Sequence, residues 1–354
     1  MKGDHDHTPV NASMIMRSLP TEACEDNSSA LFSTTTSNPP STSSVGGLQM
    51  SMGFHHQPVL RHEIVELCTG LTDGVILDAT LGGGGHAEAL LEAFPKSRLV
   101  GIDRDPIARA AATQRLARFG DRVRVVDGTF GQLDTVVTDF VSVVLMDLGV
   151  SSPQLDDAAR GFSFRSDAPL DMRMDTSQGM TAADFLVRTD LSQLANLLRR
   201  HGEQRFAGSI AKSILERQPT TTFELVEAVE RAVPMAARRR GHVATRVFQA
   251  LRVEINDEEH ELESGLAAAL SVLEGGGLLA VISYHSGEDQ VVKAFLHEAA
   301  TGGCHCPYAL GCVCGAQARM IVKKNGAVMA DTEEISKNPR ARSARLRYGR
   351  KVSA

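Results

Sequence analysis

The residues best suited to binding a ligand are four consecutive glycines, Gly82 to Gly85, which follow the apolar segment Val75-Ile76-Leu77. The run Gly82-x-Gly84-x-x-Ala87 fits the G-x-G-x-x-G/A pattern that joins a strand to a helix in nucleotide-binding βαβ units. Glycines permit a tight turn there and let backbone N–H groups approach a ligand closely. Asp103 lies 21 positions after Gly82, close to the ~20 expected for a carboxylate that binds ribose hydroxyls. Together these residues predict a nucleotide-like ligand; a glycine-rich turn without a ligand is the simpler alternative.

A second carboxylate, Asp147, opens the segment Asp147-Leu-Gly-Val-Ser-Ser-Pro-Gln154 directly after the apolar run Val141–Met146. NAD, FAD and S-adenosylmethionine all suit the glycine turn, and this loop favours the last of them. A carboxylate beside a proline-containing loop resembles the Asp-Pro-Pro-Tyr element of amino-group methyltransferases, whose acceptors hold the N–H groups of an exocyclic amine. Such acceptors favour the pyramidal, nucleophilic form of the amine and orient it for in-line attack. The alternative is that Asp147 only caps the next helix.

Two further groups of polar residues have a functional and a structural interpretation. Asp171, Arg173 and Asp175 alternate with apolar residues, so an extended segment would place the charges on one face. They either line the ligand cleft or form an internal salt-bridge lattice. His285 follows the apolar run Leu278–Ser283, where it either touches the substrate or serves as a hydrogen-bonded core histidine.

Four of the six cysteines are concentrated in one short segment, as Cys304-x-Cys306 and Cys312-x-Cys314. Four thiolates at this density can hold one zinc ion, although the C-x-C spacing is tighter than the usual C-x₂₋₄-C. The alternative is a surface loop with reduced thiols. The distribution does not resemble a secreted disulfide framework.

The charge balance bears on possible partners. With a net charge of −6 and a pI of about 6.1, the chain can bind nucleic acid only through local basic patches. Two such clusters predict contacts to an RNA backbone, with a solvated helix face and a frayed tail as the alternative. They contain Arg238, Arg239, Arg240 and Arg246, and Arg340, Arg342 and Arg345. No apolar run approaches the ~18 to 20 residues of a membrane helix, and no secretory signal is recognisable, so we expect a cytoplasmic protein without a membrane partner.

The elements that must position these residues are strands alternating with helical patterns. Predicted strands lie at Val75–Ala79, Leu99–Asp103, Val123–Val126, Val141–Met146 and Leu278–Ser283. The alternation predicts an α/β fold with a doubly wound, mostly parallel sheet, whose carboxyl edge carries the loops described above. Gly275–Gly277 is predicted as a turn before the last of these strands, and residues 319–322 and 344–348 as a closing hairpin.

Composition and periodicity divide the chain into four parts. Residues 1–53 are rich in Ser and Thr and are predicted to be a disordered tail. Residues 54–155 form the first part of the sheet domain, and residues 156–244 an inserted, mainly helical domain for substrate recognition. Residues 245–354 complete the sheet domain and include the Cys-rich loop 304–314 and a basic C-terminal segment.

Several motifs occur in the order that is typical of the bacterial ribosomal RNA small-subunit methyltransferase H family, also called MraW, which the chain resembles from about His55 to Lys351. These are His56-Gln-Pro-Val-Leu60, Asp78-Ala-Thr-Leu-Gly-Gly-Gly-Gly-His86, Asp103-Arg-Asp-Pro106, Asp147-Leu-Gly-Val-Ser-Ser-Pro-Gln154, Gly161-Phe-Ser-Phe164, Pro169-Leu-Asp-Met-Arg-Met-Asp175, Tyr284-His-Ser286 and Asn338-Pro-Arg-Ala-Arg-Ser343. The N-terminal tail has no counterpart in the usual family pattern, and the Cys-rich loop occurs in only some members.

The resemblance implies a Rossmann-like, class I S-adenosylmethionine-dependent methyltransferase. Its expected activity is N4-methylation of a decoding-centre cytidine (position 1402 in the usual ribosomal RNA numbering) of 16S ribosomal RNA in the small ribosomal subunit. The family pattern assigns cofactor contacts to Gly84, Gly85, His86, Asp103, Phe130, Asp147 and Gln154. Phe130 would face the adenine, with a core phenylalanine as its alternative. Asp147, Asp171 and His285 are the candidates for holding the cytosine.

Two other classes of function stay open at this point. An NAD-dependent oxidoreductase would use the same glycine turn but gives the Asp147–Gln154 loop no role. A non-catalytic RNA-binding factor for ribosome assembly would keep the fold and transfer no methyl group.

Overall fold

A computed structural model of the chain describes residues 58–71, 73–137, 140–238, 243–306, 313–323 and 326–353. The predicted N-terminal tail lies outside these ranges, as do Arg239, Arg240 and Cys312. Among the described residues, no helix combines the length and the apolar composition that crossing a membrane requires.

The described residues build a seven-stranded sheet. Its strands are β1 Val75–Asp78, β2 Arg98–Asp103, β3 Val123–Asp127, β4 Val141–Asp147, β5 Leu273–Ser283, β6 Met320–Val322 and β7 Arg345–Lys351. They lie in the order β3-β2-β1-β4-β5-β7-β6. The first five are parallel, whereas β7 is antiparallel to both β5 and β6. The predicted mostly parallel sheet and the closing hairpin are therefore confirmed.

Helices connect the strands and follow the predicted periodicity. The first ones are α1 Arg61–Leu67, α2 Gly85–Ala93, α3 Pro106–Leu116 and α4 Leu133–Val136. Between β4 and β5 lie α5 Ser152–Asp156, α6 Ala182–Arg188, α7 Leu191–Arg200, α8 Ala207–Arg217, α9 Thr222–Ala232, α10 Met235–Arg238, α11 Val243–Ile255 and α12 Glu258–Val272. The last two are α13 Ser286–Thr301 and α14 Thr332–Lys337.

The sheet is buried on both faces, as expected for parallel strands. In β4 the residues from Val141 to Met146 are all buried. Successive side chains point to opposite sides, so Val144 and Met146 join one core while Val143 and Leu145 join the other. The strand ends are thereby fixed between two packed layers, which gives the loops at the carboxyl edge a rigid base.

The helical insertion has a core of its own. Capping boxes at Thr181, Asp190 and Thr221 begin α6, α7 and α9. The buried cluster runs from Phe162 to Leu251 and includes the apolar stripe of α11. Because α11 begins at Val243 and packs into this cluster, it crosses the predicted limit between residues 244 and 245; the domain limits themselves stay a prediction.

The prediction of a turn at Gly275–Gly277 is wrong, because these residues lie within β5. The pairing of β4 with β5 passes from Val141↔Leu273 to Val143↔Leu278, so the glycines form a bulge. A Cβ on Gly277 would lie 2.9 Å from the Glu274 carbonyl oxygen. Three glycines in sequence indicate a break in regular pairing, and here that break is a bulge inside a strand.

Candidate active site at the carboxyl edge of the sheet

Four parallel strands bring polar residues to one edge. β2, β1, β4 and β5 are neighbours in that order, and they end at or just before Asp103, Asp78, Asp147 and Tyr284. Open α/β sheets bind ligands outside the carboxyl ends of their strands, where the strand order reverses. That reversal lies between β1 and β4, so Asp78 and Asp147 stand on either side of it.

The glycine turn connects β1 to α2 in the predicted manner. Gly82 and Gly84 have φ values of 50° and 77°, which favour glycine. At Gly84 a side chain would also crowd α3, because a Cβ there would lie 3.3 Å from the Cβ of Ala112. No neighbouring atom lies within 4 Å of a Cβ built on Gly83. The turn therefore needs glycine for its backbone at two positions and leaves open space at a third.

Asp103 is held against this turn. Its Oδ2 accepts a hydrogen bond from the Gly82 N–H at 2.7 Å, and its Oδ1 accepts one from the Asp105 N–H at 2.8 Å. Burial raises the pKa of Asp103, although these two N–H groups oppose the shift. The structure thus brings the glycine motif and the predicted ribose-binding acid into direct contact.

Asp147 is fixed from two sides. Its backbone N–H donates to Thr80 Oγ1 at 2.6 Å, and its Oδ1 accepts a hydrogen bond from the Tyr284 hydroxyl at 2.7 Å. Burial, followed by the negative charge of Asp147, raises the pKa of Tyr284 well above its usual range, so the hydroxyl stays protonated and can donate. The Asp147 carboxylate is therefore oriented while about one quarter of its side chain, 26%, remains exposed.

His86 lies on the other side of Asp147. Its Nε2 is 3.6 Å from Asp147 Oδ2, and its side chain is only 6% exposed. Neither ring nitrogen has a hydrogen-bond partner among the described residues, and the same holds for the buried hydroxyls of Thr129 and Ser151. Buried polar atoms are normally paired. Unpaired ones in the loops after β1, β3 and β4 fit a ligand that is itself rich in polar groups, as S-adenosylmethionine is.

Asp78 is a site residue that the sequence arguments missed. It is 1% exposed, and burial raises its pKa to about 7, with nearby His86 and the Thr80 N–H opposing the shift and Asp147 and Asp103 adding to it. Three carboxylates, Asp78, Asp103 and Asp147, therefore share this edge. They suit a ligand that carries hydroxyl donors or a positive charge.

Gln154 belongs to a buried polar network beside the cleft. Its Nε2 donates to Asp105 Oδ2 at 2.9 Å, and its Oε1 accepts from the Ser151 N–H at 2.9 Å. Arg160 Nη1 donates to the same Asp105 oxygen at 2.9 Å. Arg160 Nη2 also donates to the carbonyl oxygens of Arg173 and Met174. The network joins the end of β2, the loop after β4 and the base of the insertion.

Asp171 and Arg173 form the salt bridge that was one of their two predicted roles. Arg173 Nε and Nη2 donate to the two Asp171 oxygens, each at 2.8 Å. Burial of Asp171 favours a higher pKa, but the hydrogen bonds and charge of Arg173 outweigh it and lower the pKa. Asn256 fixes the segment by donating to the Met172 carbonyl oxygen at 2.8 Å and accepting from the Met174 N–H at 2.7 Å. The third charged residue, Asp175, accepts from Ser177 and Gln178 instead.

His285 caps α13. Its Nδ1 accepts from the Glu288 N–H at 3.4 Å, and its Nε2 lies 2.9 Å from Glu288 Oε1. Burial raises the pKa of Glu288, but hydrogen bonding to His285 and the charges of His285 and Arg252 outweigh it and lower the pKa. The neighbouring Tyr284, rather than His285, makes the contact with Asp147. The position directly after β5 was the available signal for Tyr284. A contact between His285 and the substrate stays a prediction.

Phe130 follows β3 and packs against α12. A Cβ on Gly265 would lie 2.6 Å from Phe130 Cδ2, so the ring fits only beside a glycine. Phe130 is partly buried against the core that covers one face of the sheet. The ring thus packs against α12, while part of the residue remains exposed.

Most of the described arginines of the two basic clusters already have protein partners. Arg246 Nη2 pairs with the buried Glu203 at 2.7 Å, and Arg238 Nε donates to the Val233 carbonyl oxygen. Arg340 pairs with Asp156 at 3.3 Å, and Arg345 with Asp289 at 3.0 Å. Arg342 is exposed. RNA binding by these residues stays a prediction.

The sheet order, with the antiparallel β7 placed between β5 and β6, and the polar carboxyl edge are typical of the Rossmann-like, class I methyltransferase fold, which here carries a helical insertion. Comparison with known proteins gives the family. The model of the MraW methylase family matches residues 53–352, and the chain belongs to that family.

Three of its relatives carry the name ribosomal RNA small subunit methyltransferase H. The relative from Heliobacterium modesticaldum is 45% identical over 313 residues, which cover 85% of this chain and 100% of the relative. The relative from Geobacter sulfurreducens is 45% identical over 312 residues, with 85% and 100% covered. The relative from Anaeromyxobacter sp. (strain K) is 47% identical over 313 residues, with 86% and 100% covered.

Proposed function

We propose that the protein transfers a methyl group from S-adenosylmethionine to N4 of a decoding-centre cytidine in the 16S ribosomal RNA of the small ribosomal subunit. The family match over residues 53–352 and the shared name of its relatives support the class of reaction and of substrate. The choice of an exocyclic amine is supported by the geometry around Asp147. The cytoplasm, where small subunits are assembled, is the expected place of action.

The cofactor would lie along the loops after β1, β2, β3 and β4. The residues proposed to hold it are Gly84, Gly85, His86, Asp103, Phe130, Asp147 and Gln154. When bound, S-adenosylmethionine supplies an electrophilic methyl group on a positively charged sulfur. Asp103 and Asp147, together with Asp78 once it is ionised, make this edge negative, which favours a cation. The unpaired atoms of His86, Thr129 and Ser151 are available to the polar groups of the cofactor.

The observation that carries the proposal is the oriented carboxylate of Asp147. Tyr284 occupies one lone pair of Oδ1 and Thr80 fixes the backbone, so the remaining lone pairs have a defined direction. They can accept the N–H groups of an exocyclic amine and hold its nitrogen for in-line attack. A strong base is not needed before attack, because the methylated nitrogen is acidic and loses its proton afterwards.

The target cytosine must leave its stack to reach this edge, as bases do in other nucleobase-modifying enzymes. We propose that the helical insertion and the arginines at 238–240, 246, 340, 342 and 345 hold the surrounding RNA. Paired arginines such as Arg345 can still contact phosphate, since 46% of its side chain is exposed.

The test is methyl transfer from isotope-labelled S-adenosylmethionine to small subunits that lack this methyl group, with the product located by mass spectrometry. Asp147→Ala is expected to lower the rate by about 10²- to 10³-fold, the usual cost of removing one aligned polar group. Asp73→Ala removes an exposed carboxylate before β1 and serves as the matched control.

Each contrary outcome has a distinct meaning. Full transfer by Asp147→Ala would contradict the assigned role of that residue. A wild-type protein that binds small subunits but transfers nothing would instead be an assembly factor. Binding of NAD in preference to S-adenosylmethionine would indicate an oxidoreductase.

A further inference from the structure

The segment after α13 contains three described cysteines that methyl transfer does not use. The sulfur atoms of Cys304, Cys306 and Cys314 all lie within 4.8 Å of one another. No disulfide joins any two of these three cysteines. Cys304 and Cys306 are partly buried, whereas Cys314 is exposed. Cys314 follows Cys306 by eight positions, so its sulfur is close to the other two through the fold and not through local sequence spacing.

The spacing of the thiols suits a tetrahedral metal ion. Zinc–sulfur bonds of about 2.3 Å place the sulfurs of a tetrahedral site about 3.8 Å apart. The observed limit of 4.8 Å therefore requires a closing movement of about 1 Å or less.

Both ends of the cysteine segment are fixed at the last turn of α13. Gly302 and Gly303 end the helix with φ values of 64° and 74°. A Cβ on Gly302 would lie 2.2 Å from the Gln317 carbonyl oxygen, so the two arms of the segment touch at this glycine. The Arg319 N–H donates to the Ala299 carbonyl oxygen at 2.7 Å. The arms are therefore held side by side independently of the cysteines, which favours a preformed site.

We propose that Cys304, Cys306 and Cys314 bind one zinc ion, which serves the structure rather than the methyl transfer. Zinc prefers thiolate ligands and a tetrahedral arrangement, and the three sulfurs supply three of its four positions. Cys312, which the four-cysteine prediction included, lies outside the described residues and is not part of the proposed site.

The position of the site, far from Asp147 and next to β6, indicates that the zinc has a structural role. α13 has 16 residues and is therefore about 24 Å long. His285 caps the end of this helix near Asp147, whereas the cysteines follow its other end. The cysteine segment leads into β6, an edge strand of three residues that pairs with β7. A metal that closes the preceding loop would stabilise this short strand, much as it stabilises other small elements.

The experiment measures metal bound to the full-length protein. The wild type is incubated with one equivalent of zinc under reducing conditions, desalted and analysed by mass spectrometry of the elements. We expect about one zinc per chain in the wild type and a loss of at least tenfold in Cys306→Ser and Cys314→Ser. Cys68→Ala removes a buried thiol elsewhere in the molecule and is expected to keep the zinc.

A second measurement on the wild type covers the case in which a serine variant does not fold. Cobalt(II) in place of zinc should give the thiolate-to-metal charge-transfer absorption of a tetrahedral site, and a strong chelator should abolish it and lower the Tm. A wild type that takes up neither metal, or a Cys306–Cys314 disulfide in freshly isolated protein, would overturn the proposal. Full zinc retention by both serine variants would do the same. Metal content is measured independently of methyl transfer, so failure here leaves the proposed function intact.

Discussion

Two buried carboxylates near the same edge of the sheet differ in how far the protein compensates their negative charge. Asp105 and Asp78 are each 1% exposed. Asp105 Oδ2 accepts from both Arg160 and Gln154, and its Oδ1 caps α3 by accepting from the Ile107 N–H. A guanidinium and two further donors thus compensate its charge inside the protein.

Asp78 has much weaker compensation. Its Oδ1 accepts from the Thr80 N–H at 3.2 Å, and its pKa rises to about 7, chiefly through burial. The difference separates two functions of buried charge. The Asp105–Arg160 pair anchors the insertion to the sheet, whereas Asp78 lies at an edge whose electrostatics suit an added cation. Variants of each residue can test this distinction.

The largest effect on stability is expected from Arg160→Met. The substitution leaves the Asp105 charge buried without a cation, which typically costs about 3 to 5 kcal/mol of the free energy of unfolding. Arg118→Met is the matched control, because Arg118 pairs with Glu88 and Glu92 at the surface and should cost about 1 kcal/mol or less. Denaturant titration of both variants makes the comparison.

The double variant Arg160→Met/Asp105→Asn isolates the pair. It should recover part of the loss, since the unpaired charge is gone. If Arg160→Met destabilises the protein no more than Arg118→Met does, the pair is not the anchor described here.

Asp78→Asn should change how stability depends on pH. The folded-state pKa of about 7 lies above the ordinary value of 3.8, so the folded state binds this proton more tightly than the unfolded state does. The resulting contribution is present in full below about pH 4 and is lost as the pH rises through 7, by up to about 4 kcal/mol. Asparagine does not titrate, so the stability of the variant relative to wild type should increase between pH 4 and pH 8.

Unfolding experiments at both pH values measure this difference, with Asp73→Asn as an exposed control that should track the wild type. If the free energy of unfolding changed with pH equally in Asp78→Asn and the wild type, the pKa of the Asp78 carboxyl would not be raised by folding. Saturating S-adenosylmethionine should reduce the effect, because a nearby cation favours the ionised carboxylate.

A smaller change is expected for Tyr284→Phe. It removes one hydrogen bond to an ionised carboxylate, an interaction of about 1.5 to 3 kcal/mol, so methyl transfer should fall by roughly 10- to 100-fold. Its free energy of unfolding should fall by no more than the same amount, about 1.5 to 3 kcal/mol. Tyr348→Phe, on β7, is the control and should keep the wild-type rate. An unchanged rate in Tyr284→Phe would mean that Asp147 is oriented without the hydroxyl.

Features encoded by local periodicity were predictable from the sequence. The strand, glycine turn and helix around Gly84 lie where the pattern placed them, and Asp103 contacts the turn. Burial on both faces makes β4 a continuous apolar run, so its end at Asp147 could be located.

Partners that are distant in sequence were not predictable. Tyr284 and Asp147 are 137 positions apart and Arg160 and Asp105 are 55 apart. The hydropathy pattern of a sequence predicts that a residue is buried, but it does not predict which charged group or hydroxyl that residue contacts. Tyr284 illustrates the limit, because it and His285 both follow β5 and only the packing shows that the Tyr284 hydroxyl reaches Asp147.

The order of strands in the sheet also bears on how the protein is made. β7 is the last strand in the sequence, yet it separates β5 from β6 and pairs with both. Until Arg345–Lys351 has left the ribosome, the apolar β5 has one unpaired edge, and β6 has no neighbour to join. An unpaired apolar edge can associate with other chains. Closure of the sheet is thus a late step in the synthesis of a protein whose proposed substrate is itself part of the ribosome.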